Sequence, residues 1–154
     1  MALGCRRASM ADADVLWRWA NDPVTRSNAF SRAPIPYAVH LRWLAGRLRS
    51  EGTRIWIFSD GGTPVGQVRV DRAGAAGEID ICVAPGHRGR GYGRAMLAEA
   101  VRRAKREWGA GVRPRAQVLD RNPASLALFR GCAFRIVGRV ERGAGRGAVV
   151  LEGA

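Results

Sequence analysis

Lysine is almost missing from this chain: Lys105 stands alone against 25 arginines. Cysteine is scarce as well, and Cys5, Cys82 and Cys132 are odd in number and far apart. Such a set provides neither a disulfide framework nor a zinc spacing, so no structural metal is expected and the core must hold the fold. Cys82 alternates with apolar residues and reads as a small core filler rather than a nucleophile. No apolar run approaches the length of a membrane span or a leader peptide. The expectation is a cytoplasmic protein with no membrane partner. There is also no recognition helix, zinc-finger spacing or RNA-binding aromatic motif. A basic nucleic-acid-binding module therefore rests on charge alone, and no specific nucleic acid is expected.

What is present in excess is positive charge, a net +13 over 154 residues. A field of that sign favours polyanionic ligands such as coenzyme A, a nucleoside diphosphate or nucleic acid, and it repels polycations. The apolar share of 47% is ordinary for a folded protein. The length fits one domain, residues 1–154, without linker, repeat or low-complexity tail.

The chain is organised around Glu78 to Trp108. Ile79, Ile81 and Val83 alternate with Glu78, Asp80 and Cys82, the period of a strand. Ala84-Pro85-Gly86 ends it. Arg88-Gly89-Arg90-Gly91-Tyr92-Gly93-Arg94 follows, and then Met96, Leu97, Ala100, Val101 and Ala104 recur at helical spacing. A strand, a glycine-rich turn and a helix start make a phosphate holder, because turn amides and the helix N-terminus converge on one point. Arg88, Arg90 and Arg94 are placed to add charge-assisted hydrogen bonds. The P-loop is excluded, since Gly93 is followed by Arg94-Ala95 rather than Lys-Ser/Thr. The dinucleotide pattern GxGxxG is also absent.

Along the rest of the chain, residues 2–8 are a short first strand. Ser9 with Asp12 forms a capping box for a helix reaching about Asn21. Residues 24–34 lack periodicity and read as a loop, and a second helix runs from Pro36 to about Ser50. Arg54–Ser59 and Thr63–Arg72 form a hairpin about Asp60-Gly61-Gly62, and Gly74–Gly77 turns the chain into the strand at 78–84. Pro114–Leu119 is a further strand, Ala124 to about Cys132 a helix, and Phe134–Glu141 with Gly147–Leu151 a terminal hairpin across a glycine-rich turn.

The pattern Arg88-x-x-Gly91-x-Gly93, between a Val-x-Pro strand end and an amphipathic helix, resembles the pyrophosphate loop of the GNAT superfamily of acyl-coenzyme A N-acyltransferases. Asn122, Ser125 and Phe134 match that family's second motif, with Ala133 in place of its usual glycine. The order β-α-α-β-β-β-α-β-α-β-β matches the family layout over essentially the whole chain. The resemblance implies an α/β (α+β) fold: a mixed, mostly antiparallel sheet of six to seven strands, helices on both faces, and central strands (78–84 and 113–119) splayed for coenzyme A. It implies acetyl-coenzyme A as co-substrate, no metal, and direct transfer to a primary amine in a ternary complex.

By the same resemblance, Ile81, Cys82, Val83, Arg88, Gly89, Arg90, Gly91, Tyr92, Gly93, Arg94, Asn122, Ser125 and Phe129 are expected to hold the cofactor. Amides near Cys82 and Val83 would bind the thioester carbonyl. Glu78 and Asp80 share a strand face and are candidates to take the amine's proton, although each also has arginines to pair with. Asn122 can be a helix N-cap, a pantetheine contact or both. Phe129 stands where many relatives carry a tyrosine proposed to protonate the departing thiolate. That proton must come from Ser125 or water, or the thiolate leaves unaided.

The first fifty residues should build the acceptor side. Trp17-Arg18-Trp19-Ala20-Asn21-Asp22-Pro23 with Ile35, His40 and Trp43 resembles the branch containing aminosugar-nucleotide acetyltransferases, which shades into the ribosomal-protein alanine acetyltransferases. Asn21, Arg26, His40 and Trp43 are then expected to contact the acceptor, a small amine such as a nucleotide sugar. His40 also reads as an exposed helix histidine without a role, and the tryptophans as core or pocket wall. A monomer or a homodimer is expected.

Overall fold

The computed structural model describes residues 2–143 and 145–154. Its strands are β1 (Gly4–Arg7), β2 (Thr53–Asp60), β3 (Thr63–Ala73), β4 (Ala76–Val83), β5 (Arg113–Leu119), β6 (Arg135–Arg142) and β7 (Arg146–Glu152). They form one seven-stranded sheet in the order β1-β2-β3-β4-β5-β7-β6. The helices are α1 (Ala13–Ala20), α2 (Pro23–Ser27), α3 (Tyr37–Arg49), α4 (Tyr92–Trp108) and α5 (Pro123–Gly131). The expected mixed, mostly antiparallel sheet with helices on both faces is the observed one. The turn between β6 and β7 includes Ala144, which lies outside the described residues.

Strand alternation sorts the core into two layers. Trp56 and Phe58 of β2 and Val68 and Val70 of β3 pack against Tyr92, Met96, Ala100 and Ala104 of α4. The neighbouring positions Ile55 and Ile57 turn to the other face and meet Leu16, Trp19 and Leu44 of α1 and α3. A third cluster joins Leu97 of α4 and Phe129 of α5 to Val118, Val149 and Leu151.

Two local details depart from the sequence reading. The helix expected from Ser9 opens as a 3-10 turn, Met10–Asp12, before α1 begins. Its capping box is present: the Ser9 amide donates to Asp12 Oδ2 at 2.9 Å. Asp12 is also gripped by both arms of Arg6, at 2.7 and 2.8 Å. That guanidinium outweighs burial and holds the Asp12 carboxyl below the usual range. The second departure is α2, which lies where a loop is expected from residue 24. Five residues are too few to show helical periodicity, but Asp22 caps the helix and Pro23 opens it.

The position of greatest consequence is the centre of the sheet. β4 and β5 are parallel and pair only at Ala76↔Arg113, Gly77↔Pro114 and Glu78↔Arg115. Beyond Glu78, β4 continues paired to β3 through Val83, while β5 stays paired to β7 through Leu119. The expected splay of the two central strands is therefore in place, and it leaves backbone polar groups of both strands facing a gap.

Candidate active site

The gap opens towards the turn between β4 and α4. Gly89 and Gly91 there have φ of +76° and +85°. This left-handed backbone costs an L-residue about 1–2 kcal/mol, which accounts for glycine at both places. Gly91 is also the N-cap of α4, so no side chain covers the helix's first amides. Gly93 answers to packing instead, because a Cβ on it would sit 3.3 Å from Leu128 of α5.

The side chains of this turn are more occupied than the sequence suggests. Arg88 does not point freely into the loop: its Nη2 donates to Asp22 Oδ2 at 2.9 Å and to Thr25 Oγ1 at 3.2 Å. Arg94 donates to the Gly131 carbonyl at 2.8 Å and staples α4 to the end of α5. Tyr92 is buried, and its hydroxyl donates to Asp60 Oδ2 at 2.5 Å, which leaves its backbone but not its ring for a ligand. Arg90 has no carboxylate partner among the described residues.

On β4, Ile79, Ile81 and Val83 pack towards α4. Cys82 faces the α1–α3 layer, its Sγ 3.7 Å from Thr25 Oγ1, and burial pushes its thiol pKa up. Glu78 and Asp80 share that face. Glu78 pairs with Arg115 at 3.3 Å, at the vertex where β4 and β5 part. Asp80 is 54% exposed and accepts from the nearly buried Gln67 at 3.1 Å. Arg69 of β3 lies 2.8 Å from Asp71, 3.9 Å from Asp80 and 5.1 Å from the Trp43 ring of α3. Of the two carboxylates, Asp80 is the more exposed, 54% against 33% for the Glu78 side chain.

At the second motif Asn122 caps α5, its Oδ1 accepting the Ser125 amide at 3.2 Å. Ser125 is half-buried. The expectation for Phe129 needs correction. Its side chain is 2% exposed and meets Phe134 edge to face at 5.1 Å, so it is core and presents no surface to a cofactor. Ala133 has φ +65°, and the amides of Ala133 and Phe134 donate to the carbonyls of Arg130 and Phe129. That is a Schellman ending, which explains why glycine is the family's usual choice at this position.

The acceptor-side expectations also need correction. His40 is not exposed: it is 4% accessible, its Nε2 donates to the Ala13 carbonyl at 3.0 Å, and burial pulls its pKa down. Asn21 clamps Ile35, accepting its amide at 2.8 Å and donating to its carbonyl at 3.2 Å. Arg26 spends its guanidinium on the carbonyls of Ala20, Ser31 and Ala33. Trp43 lies beneath Arg47 and Arg69. Asn21, Arg26 and the His40 Nε2 thus spend hydrogen bonds on backbone groups of this layer.

Sequence reasoning missed Arg146. Its guanidinium donates to the carbonyls of Ala29 and Phe30 at 2.7 and 2.8 Å, while Arg142 lies 4.5 Å over the Phe30 ring. The segment after α2 is thereby tied to the β6–β7 hairpin, bridging the two halves of the parted sheet. No local signal could reveal a contact across 117 positions.

A parted parallel strand pair and a left-handed glycine turn at a helix start thus flank one gap in the sheet. The model of the acetyltransferase (GNAT) family matches residues 14–134, and the chain belongs to that family. Among solved structures, spermidine N-acetyltransferase from Vibrio cholerae, in complex with CoA and spermine, superposes with a TM-score of 0.83 at 18% identity, covering 97% of this chain and 94% of that one. Ribosomal-protein-alanine N-acetyltransferase from Brucella melitensis gives a TM-score of 0.83 at 24% identity, over 97% and 98% of the two chains. YncA from Salmonella typhimurium, with acetyl-CoA, gives 0.79 at 21%, over 99% and 93%. No curated protein sequence matches the chain. No group of three or more metal-ligating side chains occurs among the described residues. No described helix is long and apolar enough to cross a membrane.

Proposed function

We propose that this protein transfers an acetyl group from acetyl-coenzyme A to the primary amine of an aminosugar nucleotide or a similar small anionic metabolite. The observation that carries the reading is the end of β4–β5 pairing after Glu78↔Arg115, with the gap running up to the turn at Gly91. A flexible thioester arm can lie there as a surrogate strand against the free edge of β4, with its diphosphate on the amides of residues 89–94. When bound, acetyl-coenzyme A supplies the thioester whose carbonyl carbon bonds to the amine nitrogen as the carbon–sulfur bond breaks.

The chain's own groups then have three tasks. The edge of β4 and the loop amides hold the donor in attack geometry, which accounts for much of the rate in reactions of this kind. Asp80 accepts the proton that the amine sheds, directly or through water, and Gln67 fixes one of its two oxygens. Glu78 is tied to Arg115 and has a lesser claim to that role. Ser125, or a water beside it, returns a proton to the departing thiolate.

The acceptor's charge is inferred from the basic surface. Arg32, Arg121 and Arg142 are exposed and lack carboxylate partners among the described residues, in a chain of net charge +13. Such a surface favours an anionic amine and disfavours a polyamine. The test is thiol release from acetyl-coenzyme A against a panel of uridine diphosphate aminosugars, peptides beginning with alanine, and spermidine. The expected result is turnover of an aminosugar nucleotide. Selective turnover of the peptides would move the acceptor to a protein N-terminus, and selective turnover of spermidine would overturn the charge argument.

A further inference from the structure

Arg88 is the first residue of the glycine-loop pattern, yet its guanidinium is committed to the capping turn of the neighbouring α2. We propose that Arg88 is a positioning residue: through Asp22 it locks α2 of the acceptor layer to the donor loop, and it does not itself hold the donor's phosphates. This rests on the donor-loop reading above.

Three observations carry it. First, Arg88 Nη2 lies 2.9 Å from Asp22 Oδ2 and 3.2 Å from Thr25 Oγ1, a two-point contact with both ends of one capping turn. Second, Asp22 is a largely enclosed carboxylate, its side chain 15% exposed, and the same Oδ2 accepts the Thr25 amide that caps α2. Swinging Arg88 onto a phosphate would strip that carboxylate of its only cationic partner among the described residues and break a charge-assisted hydrogen bond. Third, Thr25 Oγ1 also touches Cys82 Sγ on β4 at 3.7 Å, so the contact reaches the free edge where the thioester arm would lie. Phosphate neutralisation then falls to the loop amides and Arg90.

Because α2 leads directly into the segment that Arg146 ties across the gap, the Asp22–Arg88 pair joins the acceptor cover to the donor loop. Coupling of this kind is reciprocal: whatever loosens α2 weakens donor binding, and donor binding steadies α2.

The test is calorimetric binding of acetyl-coenzyme A to the wild type, Arg88→Gln, Asp22→Asn and the double variant, with Arg90→Gln as the phosphate control. Asparagine caps helices as well as aspartate, so Asp22→Asn removes the ion pair and keeps the cap. Each single variant should weaken binding about tenfold, with the double variant no worse than the weaker single. Hydrogen exchange at residues 23–27 should quicken in both. If Arg88 instead gripped phosphate, Asp22→Asn would leave affinity unchanged or raise it by releasing the arginine, and that result overturns the proposal. So does unchanged affinity in both variants. A wild type that fails to bind acetyl-coenzyme A would indict the donor-loop reading itself, which is a separate failure.

Discussion

The donor loop and the acceptor layer are built on opposite plans. Around Gly89 and Gly91 the backbone is bare, and neighbouring side chains are drawn away: Arg88 to Asp22, Tyr92 to Asp60, Arg94 to Gly131. In the acceptor layer the side chains fill the space, and Asn21, Arg26 and His40 spend their polar atoms on backbone carbonyls and amides within it. A ligand at the first place meets main chain. At the second it meets a surface whose shape is set by internal hydrogen bonds. Mutations should therefore act differently in the two places, on binding or transfer in one and on stability in the other.

The largest effect belongs to Gly91→Val. A β-branched residue at φ +85° is strained, and its side chain enters the space a diphosphate must use. Acetyl-coenzyme A affinity should fall at least about a hundredfold by calorimetry, roughly 2.7 kcal/mol. Unchanged affinity in a folded variant would remove the loop from donor binding.

Next come the two candidate proton carriers. A positioned acid or base contributes about 10²–10⁴-fold, so Asp80→Asn and Ser125→Ala should each lower single-turnover rates by about a hundredfold if they act as proposed. Glu78→Gln should do less, since Arg115 already engages that carboxylate. A Ser125→Ala enzyme that loses only cofactor affinity would make the hydroxyl a binding contact and leave water as the donor. Phe129→Tyr offers no rescue. It would bury a hydroxyl in the core, costing about 1–3 kcal/mol of stability, with the transfer rate unaltered.

Why one plan was legible in the sequence and the other was not follows from how each is specified. Glycine at Gly89 and Gly91 answers to a local backbone angle, which appears as a spacing of two residues. The strand and helix on either side appear as periods. The role of His40 depends on Ala13, that of Asn21 on Ile35 and that of Arg146 on Ala29 and Phe30. Those partners are chosen by tertiary packing, and no window of sequence contains the choice. The resemblance named the acceptor layer's residues while geometry assigned them internal work. The Asp22-Pro23 pair does carry a local signal, since a cap followed by proline marks a helix start, but the same residues also end α1 and the stretch after them reads as a loop.

A smaller effect tests the acceptor layer through pH. Burial lowers the His40 pKa, outweighing the hydrogen bond to Ala13 that raises it. The unfolded chain then binds the proton more readily than the folded one, so His40's contribution is complete above its unfolded pKa of about 6.5 and is lost as pH falls through its lower folded value. His40→Phe should flatten that part of the stability curve in thermal melts between pH 7.5 and 5.5. An unchanged slope would mean that another group sets it.

The smallest effect separates conformation from ligand access. Ala133 is exposed and sits at φ +65° in the Schellman ending of α5, so only the backbone angle calls for glycine there. The left-handed strain costs alanine about 1–2 kcal/mol, whereas glycine's freer unfolded chain returns about 0.4–1 kcal/mol of that. Ala133→Gly should therefore stabilise the protein by about 0.5–1 kcal/mol, or roughly 1–4 °C for a chain of this size, with acetyl-coenzyme A affinity unchanged. Gly91→Ala is the mirror experiment. If glycine at that turn answered only to its φ, alanine would lower the melting temperature by the same few degrees and spare binding, as alanine at position 133 shows is tolerable. If the donor's diphosphate must approach the backbone there, Gly91→Ala will lose affinity out of proportion to its loss of stability. Both substitutions exchange glycine and alanine at positive φ, +85° at Gly91 and +65° at Ala133, so a loss of affinity at the first alone measures the contribution of ligand approach.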